Sequence, residues 1–241
     1  MKISVVVPAF NEEKYIARAL RKIMAAADTF SALGWENEII VCDNNSTDRT
    51  AEKARASGAN VVFEPLNQIS RARNRGASAA TGDWLVFIDA DSYPSGELFA
   101  DLAEVIHGDH CLGGGATVRM DRAIGWTKSF THVWNAISRM KRWAAGSFVF
   151  CEAKAFRELG GFSQELYAAE EIEFSERLKQ LARGRGKEVV ILGRHPLVTS
   201  ARKAHLYSWR EHLGMLWKTL RYRGENLKDR ARCTLWYDGR R

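Results

Sequence analysis

The sequence predicts an α/β fold with one mostly parallel central sheet and helices on both of its faces. Short apolar runs rich in β-branched residues recur along the first half of the chain, with stretches of helical spacing between them. No linker, repeat or low-complexity tract divides the 241 residues. Strands that alternate with helices form a parallel sheet, whose ligand crevice lies at the carboxyl ends of the strands. We therefore expect a single domain with its site at that edge.

The first half of the chain alternates regularly between strand and helix. The apolar residues at 3–7 predict a strand buried on both faces, which we expect to end at Pro8. Ile16, Leu20 and Ile23 follow at helical spacing and predict the first helix. By the same patterns we expect strands at 38–43, 60–64 and 84–89, with helices at about 47–57 and 69–80.

The second half alternates less regularly. Apolar runs predict strands at 111–119, 147–151 and 188–192, and helical spacing returns at about 170–182. The aromatic and basic stretch at 125–146 has an ambiguous period, and we interpret it as a partly helical wall of the site.

The last segment is basic and amphipathic. We expect residues 1–205 to form the domain and residues 206–241 to form a helical extension of it. An apolar stripe at helical spacing begins near residue 208 and consists of Trp209, Leu213, Leu216, Trp217 and Leu220. A basic helix with such a stripe is typical of contact with an anionic membrane surface. Packing of the stripe on the sheet or on another subunit explains the pattern equally well.

Composition narrows the class of partner. A chain of this length buries a full core, and its 36 Lys and Arg against 29 Asp and Glu give a net charge of +7. Positive charge favours phosphates, nucleic acid or an acidic membrane surface. The excess lies in residues 202–241, so the first part of the chain is near neutral.

Cysteine usage and hydropathy predict a cytoplasmic protein. Cys42, Cys111, Cys151 and Cys233 form no C-x-x-C pair, which argues against a zinc site or a disulfide framework. The N-terminal apolar run stops at Pro8, and no segment reaches the roughly 18 apolar residues of a membrane span. We expect the cytoplasm, with peripheral attachment at the inner face of the membrane left open.

The stretch "DWLVFIDADSYP" (83–94) ends a buried strand on two aspartates. Asp89 and Asp91 lie at i and i+2 after the strand, and carboxylate oxygens suit Mg²⁺ or Mn²⁺ with phosphate oxygens in the remaining positions. The alternative is that both residues open a loop and cap the helix that begins near Ser95.

Four segments together resemble a known family. They are "VVVPAFNEE", "VCDNNSTDRT", "RARNRGASAATGDWLVFIDAD" and "AFRELGGFSQELYAAEEIEFSERL", in this order. Over roughly residues 2–205 the sequence resembles the inverting family 2 glycosyltransferases of GT-A fold. The resemblance implies a nucleotide-sugar donor, a UDP-sugar, and Mn²⁺ or Mg²⁺ held by Asp89 and Asp91.

The resemblance also assigns residues to the donor. It implies that Asp43 hydrogen-bonds the uracil edge, that Glu12 reaches the ribose and that Arg73 approaches the diphosphate. Ser46 and Asp48 are interpreted as helix caps instead. The full set of implied nucleotide-sugar contacts is Pro8, Ala9, Phe10, Glu12, Asp43, Arg73, Asp89 and Ala90.

The family carries its general base before a helix, where this chain has "AEEIEF" (169–174). The resemblance implies that Glu171 deprotonates the acceptor hydroxyl, although Glu replaces the commoner Asp and makes Glu170 a rival. Both acids would otherwise only stabilise the helix dipole. After the last strand come Arg202, Lys203 and His205. Their basic groups are candidates to meet the diphosphate, and His205 is a candidate to complete the metal shell.

Two other functions compete with sugar transfer. A sugar nucleotidyltransferase normally has a glycine-rich phosphate loop after the first strand, and "VPAFNEE" contains no glycine. A basic nucleic-acid or membrane-surface module without catalysis draws on the charge of the C-terminal segment. We expect no nucleic-acid partner. The donor sugar and the acceptor, whether a saccharide, a lipid-linked saccharide or a small molecule, are not assigned by the sequence.

Overall fold

The computed structural model describes residues 1–122, 125–202 and 225–233. Its strands are β1 (Lys2–Ala9), β2 (Glu36–Asp43), β3 (Asn60–Phe63), β4 (Trp84–Ile88), β5 (Ser92–Tyr93), β6 (Cys111–Met120), β7 (Phe148–Glu152) and β8 (Glu188–Thr199). Its α-helices are α1 (Ile16–Ala32), α2 (Thr50–Ala56), α3 (Ile69–Ala79), α4 (Gly96–His107), α5 (Gly125–Lys141), α6 (Ala153–Glu158) and α7 (Glu170–Gly184). Two short 3₁₀ helices follow at Glu225–Lys228 and Arg230–Arg232.

The described strands form one sheet in the order β3-β2-β1-β4-β7-β6-β8-β5. Strands β1 to β4 are parallel to one another and β6 is parallel to β8, whereas β7 runs antiparallel to both β4 and β6, and β5 runs antiparallel to β8. This arrangement confirms the predicted α/β class, and strands β1 to β4 come from the region where strand and helix alternate regularly in sequence.

Helices cover both faces of the sheet because its central strands are apolar on both sides. In β1 the side chains of Val5 and Val7 join a core under α1 and α4. Val6 points the opposite way and joins a second core that contains Phe174 and Leu178 of α7. Residues that alternate along one strand therefore anchor two separate helical layers.

The structure corrects the expectation that Pro8 ends the first strand. Strand β1 continues to Ala9, and Pro8 pairs in register with Cys42 of β2. On its other side β1 pairs with β4 only as far as Val6. Since Pro8 lies beyond the point where β1 has two neighbours, its missing N–H leaves no gap in that ladder.

Several other boundaries differ from the predictions. Helix α2 begins at Thr50 rather than near 47, because residues 47–49 belong to the loop that contacts the end of β1. Strand β8 continues from Glu188 to Thr199 because it pairs along almost the whole of β6 and then with β5. The ambiguous stretch at 125–146 is largely the helix α5.

Most of the predicted C-terminal extension is outside the described residues. These include His205 and the whole apolar stripe from Trp209 to Leu220. The described part, 225–233, contacts the domain through a 2.7 Å hydrogen bond from the Tyr167 N–H to the Leu227 carbonyl. Among the described helices, none combines the length and apolar character needed to cross a membrane.

Candidate active site

Three parallel strands bring the predicted donor residues to one edge of the sheet. Strands β1 and β2 end in register at Ala9 and Asp43, and β4 ends beside β1 at Ile88. The loops that follow carry Glu12 and the 89–91 segment. The structure thus brings together the ends that the sequence predicted to meet.

Arg73 lies at the centre of the site and is 1% exposed. One guanidinium nitrogen is 2.5 Å from Glu170 Oε1, and the other is 3.2 Å from Asp89 Oδ1 and 2.6 Å from the Gly146 carbonyl. Burial lowers the pKa of Arg73, but the carboxylates of Glu170 and Asp89 raise it more, so the group stays charged. Arg73 therefore joins α3, the end of β4, the loop before β7 and the start of α7.

Glu170 and Glu171 are adjacent in sequence but have different surroundings. Helix α7 starts at Glu170 after Ala169 adopts a left-handed conformation with φ of 62°. Glu170 is 2% exposed and is neutralised by Arg73. Burial and the charge of Glu170 raise the pKa of Glu171 to about 8, although Arg73 opposes this shift. At neutral pH this shift favours the protonated form of Glu171, whereas the Glu170 carboxylate is held in its ion pair with Arg73.

Gly146 leaves room for the Glu171 carboxyl group. A Cβ atom at this position would lie 3.2 Å from Glu171 Oε1 and 3.3 Å from an Arg73 nitrogen. The absence of a side chain lets the loop before β7 approach both groups closely, so that its carbonyl accepts from Arg73. Sequence reasoning did not single out Gly146, because only the fold brings it to the site.

Arg202 forms a second ion-pair cluster at the same edge. Its guanidinium makes a bidentate pair with the Glu12 carboxylate, at 2.7 and 2.9 Å, and one nitrogen is 3.3 Å from Asp91 Oδ2. The guanidinium carbon also lies 4.7 Å from the centre of the Tyr15 ring. Burial lowers the pKa of Arg202, and the hydrogen bonds and charges of Glu12 and Asp91 raise it more. Glu12, expected at the ribose, is thus held by a residue far away in sequence.

Asp89 and Asp91 do not cap the next helix. The N-cap of α4 is Ser95, whose hydroxyl accepts from the Leu98 N–H at 3.3 Å. The alternative reading of the two aspartates as helix caps is therefore wrong in this structure. Their carboxylates instead face Arg73 and Arg202.

The two aspartates are chemically suited to form part of a Mn²⁺ or Mg²⁺ shell. Both supply hard oxygen atoms, and the Asp89 side chain is 23% exposed, so that part of it is open to a ligand. Among the residues that the structure describes, no group of three or more His, Cys, Asp or Glu could hold a metal ion. The oxygens of a bound diphosphate would have to complete such a shell.

Asp43 is buried at the end of β2, where its Oδ1 accepts from the Ser46 N–H at 3.2 Å. The Ser46 hydroxyl accepts from the Asn11 N–H, and α2 has no side-chain cap bond at its N-cap Arg49, so Ser46 does not cap that helix. Asp48 accepts from the Thr50 N–H at 2.9 Å. Of the other predicted donor contacts, Pro8, Ala9 and Ala90 are buried and Phe10 is partly exposed.

Asn44 is a functional candidate that sequence reasoning missed. It is 4% exposed, its Nδ2 donates to the carbonyls of Glu64 and Leu66, and its Oδ1 accepts from the Gln68 N–H. The Gln68 amide in turn donates to the carbonyls of Gln164 and Leu166. This chain of bonds fixes the loop beside Asp43, and its only signal in the sequence is a polar residue directly after a buried strand.

Comparison with known proteins identifies the family. The model of Glycosyl transferase family 2 matches residues 4–158, which include the strand ends and Arg73, Asp89 and Asp91. The chain belongs to this family. A curated relative from Sodalis glossinidius, undecaprenyl-phosphate 4-deoxy-4-formamido-L-arabinose transferase, is 30% identical over 164 residues, which are 65% of this chain and 49% of the relative. The resemblance to family 2 is thereby confirmed, and the matched residues end before Glu170 and Glu171.

Solved structures confirm the GT-A fold of this family 2 chain. One of them is the mannosyltransferase PcManGT from Pyrobaculum calidifontis, solved with GDP-Man and Mn²⁺. It matches with a TM-score of 0.68 at 19% identity, and the match covers 94% of this chain and 62% of PcManGT. Another is S. aureus TarS 1–349, solved in complex with UDP-GlcNAc. It matches with a TM-score of 0.63 at 22% identity, and the match covers 83% of this chain and 58% of the TarS chain. The chain spans half or less of the first curated relatives that it matches.

Proposed function

We propose that this chain transfers a sugar from a UDP-sugar to an acceptor hydroxyl, with inversion at the anomeric carbon. The observation that carries the proposal is the convergence of Asp89 and Glu170 on Arg73, with Glu171 beside them at the carboxyl ends of the parallel strands. Membership of family 2 supports this reaction class.

The donor would lie across the ends of β1, β2 and β4. Asp43 would accept a hydrogen bond from the uracil edge, with Pro8, Ala9 and Phe10 against the base. Asp89 and Ala90 would contact the diphosphate-sugar, and Arg73 would favour negative charge at that position. Support for this placement is the register that brings Ala9 and Asp43 side by side.

Asp89 and Asp91 would hold the divalent cation. A bound Mn²⁺ or Mg²⁺ would neutralise the charge that develops on the departing diphosphate. Arg202 pairs with Asp91, so its guanidinium would turn from that carboxylate toward the diphosphate when the cation binds. The Glu12 carboxylate would then be free to meet the ribose.

Glu171 would act as the general base. As the bond between the anomeric carbon and the diphosphate breaks, the acceptor oxygen forms the new bond and its proton passes to the Glu171 carboxylate. A base with a pKa near the working pH suits this step, and burial raises the pKa of Glu171 to about 8. The Glu170 carboxylate is paired with Arg73, which favours Glu171 over its neighbour.

We also propose a lipid-linked acceptor reached by peripheral contact with the inner face of the membrane. Support comes from relatives that are named as transferases acting with undecaprenyl-phosphate. An acceptor that attacks through a phosphate oxygen needs no base, because that oxygen is already ionised. Dependence on Glu171 therefore distinguishes a hydroxyl acceptor from a phosphate acceptor.

Turnover across UDP-sugars and GDP-sugars, with and without Mn²⁺, tests the proposal. The Asp91→Asn variant should lose Mn²⁺-dependent UDP binding while it remains folded, and an unchanged affinity contradicts the cation site. Preference for GDP over UDP in competition would show that the assignment of Asp43 is wrong. The anomeric configuration of the product, determined by NMR, must be opposite to that of the donor.

A further inference from the structure

Helix α5 has the reverse of the usual arrangement of polar and apolar faces. Thr127 and Ser138 are 0% exposed, and Thr131 and Asn135 on the same side are partly buried. Helices on the surface of a protein normally turn apolar residues inward and polar residues outward. Here the inner face is made largely of small polar side chains.

The polar inner face is satisfied by hydrogen bonds. The Asn135 amide pairs with both backbone groups of Val118 in β6, at 3.0 and 2.9 Å. The Ser138 hydroxyl donates to the Trp143 carbonyl at 2.6 Å, and the Thr131 hydroxyl donates to the Thr127 carbonyl at 2.7 Å. The two Asn135 bonds join α5 to β6 and fix the rotation of the helix, so the fold determines which face of α5 points outward.

The outer face of α5 carries an apolar arc. Phe130, Val133 and Met140 are 51%, 58% and 73% exposed. At 100° per residue these three positions, with Ala136 and Ile137, fall within one third of the helix circumference. Three of the large apolar side chains exposed in the described residues therefore lie on one stripe of one helix.

Positive charge borders this arc, and negative charge is absent from it. Lys128 and Arg139 lie on one side of the arc and Lys141 lies on the other, and all three are exposed. No aspartate or glutamate occurs between Asp121 and Glu152. This surface of α5 is complementary to a lipid surface that has an apolar interior and anionic groups at its boundary with water.

We propose that the outer face of α5 is the surface through which this protein docks on an anionic membrane. The apolar arc would enter the boundary between headgroups and acyl chains, and the lysines and Arg139 would meet lipid phosphates. This assignment rests on the proposed function in one respect, which is that the acceptor is linked to a lipid. The docking surface is distinct from the apolar stripe predicted at 209–220.

Docking by α5 would place the site at the membrane surface. The loop after α5 reaches α7 through a hydrogen bond from the Ala144 N–H to the Ser175 hydroxyl at 3.1 Å. The same loop gives its Gly146 carbonyl to Arg73 and its Ser147 carbonyl to the Asp89 N–H. An acceptor held in the headgroup layer would thus lie next to the loop that forms one wall of the site.

Co-sedimentation of the full chain with lipid vesicles tests the docking surface. Wild type should bind phosphatidylglycerol mixed with phosphatidylcholine more strongly than phosphatidylcholine alone, and added salt should weaken the binding. Val133→Gln with Met140→Gln should reduce the partition coefficient by at least about tenfold, since each apolar CH₂ withdrawn from the membrane weakens binding. Lys128→Gln with Lys141→Gln should reduce it by about fivefold per charge.

Matched variants in α1 and at its C-cap residue Leu33 control for nonspecific effects. Leu33→Gln removes an apolar side chain that is 54% exposed, and Arg21→Gln with Lys22→Gln removes the same charge as the lysine pair. Neither control should change vesicle binding by more than about twofold. Any small decrease in the Arg21 and Lys22 variant would come from its lower net charge. Circular dichroism checks that each variant is folded.

The proposal is wrong if wild type does not bind anionic vesicles at low salt, or if the Val133 and Met140 pair leaves binding unchanged. In the second case the 206–241 segment would be the binding element. Concentration-dependent dimers in sedimentation velocity that the same pair abolishes, without vesicle binding, would assign the arc to a second copy. No donor or acceptor is present in these assays, so their failure is distinguishable from a failure of sugar transfer.

Discussion

Arg202 and Asp91 form an ion pair, with 3.3 Å between a guanidinium nitrogen and Asp91 Oδ2. The same guanidinium holds Glu12 in a bidentate pair. One arginine therefore already supplies the positive charge that two of the predicted donor and metal residues require. A divalent cation at Asp91 has to compete with this charge.

Replacing Arg202 by Gln should strengthen the binding of Mn²⁺ by the protein alone. Loss of a positive charge within 4 Å of Asp91 removes a repulsion of the order of 1 kcal/mol or more, so we expect affinity to rise by about tenfold. The affinity for Mn²⁺ is measured by titration, with free Mn²⁺ detected by electron paramagnetic resonance. UDP affinity should fall in the same variant, because Arg202 would no longer meet the diphosphate.

Arg194→Gln is the matched control for that titration. Arg194 is an exposed arginine of β8 that pairs with Asp101 and Glu104, away from the aspartates at the end of β4. It should leave the affinity for Mn²⁺ unchanged. Equal affinities in wild type and Arg202→Gln would mean that Arg202 does not compete with the cation.

Arg73 should be a determinant of stability. Its replacement by Gln leaves the buried carboxylate of Glu170 without its partner, and the loss of one member of a buried ion pair typically costs about 3–5 kcal/mol. Urea unfolding followed by fluorescence measures the change. Arg71→Gln, on the same helix but hydrogen-bonded only to Gln68 among the described residues, should change the free energy of unfolding by less than about 1 kcal/mol.

If Arg73→Gln unfolds at the same urea concentration as wild type, the ion-pair cluster contributes no net stability. Arg73→Lys refines the test, because lysine keeps the charge but cannot bridge Glu170, Asp89 and the Gly146 carbonyl at once. Its stability should lie between those of wild type and the Gln variant.

How much of the fold and the site the sequence predicts depends on how far apart in sequence the interacting residues are. The residues that follow the strand ends, among them Asp43 and Asp89, were predicted to meet because alternation of strand and helix determines a parallel sheet, and local apolar runs show that alternation. The pairing of Glu12 with Arg202 spans most of the chain, and no local pattern encodes it. The role of Gly146 could not be predicted either, because it depends on side chains that only the fold brings against this glycine.

The same reasoning explains the errors at element ends. Pro8 signals a strand end by itself, but the sheet tolerates it because β4 is shorter than β1. The helix α5 was ambiguous because its apolar residues face outward, so its pattern does not mark a core face. Local propensity was overridden in both places by the neighbours that the fold supplies.

Glu171→Gln should separate catalysis from binding. The amide keeps the size of the side chain but cannot accept the acceptor proton, so turnover should fall by about 10² to 10⁴-fold while UDP affinity persists. Glu170→Gln should instead lower stability, because it leaves Arg73 with one carboxylate fewer. Initial-rate kinetics and UDP titration of both variants measure these effects.

A large loss of turnover in a folded Glu170→Gln variant, with normal rates for Glu171→Gln, would assign the base to the other residue. Normal rates in both variants would indicate an acceptor that attacks through an ionised phosphate oxygen. A loss of UDP affinity in Glu171→Gln would show that this residue belongs to the donor site rather than to the acceptor.

The pKa of Glu171 predicts how activity and stability depend on pH. With a pKa of about 8 the base is mostly protonated at neutral pH, so kcat/KM should rise through pH 8 and level off about one pH unit above the pKa. A cation bound by Asp89 and Asp91 would favour the ionised form, so Mn²⁺ should move this rise to lower pH. Rates measured across this range, with and without Mn²⁺, test both statements.

Stability should change in the opposite direction. In the unfolded chain the carboxyl group of a glutamate ionises near pH 4.5, whereas in the folded state burial and Glu170 keep Glu171 protonated until about pH 8. The folded state therefore binds more protons in that window, and the free energy of unfolding falls as pH rises through it. Glu171→Gln carries no such proton, so its stability relative to wild type should increase from pH 5 to pH 8. Urea unfolding of both proteins at several pH values measures this difference, and parallel curves would show that the pKa of Glu171 is not raised.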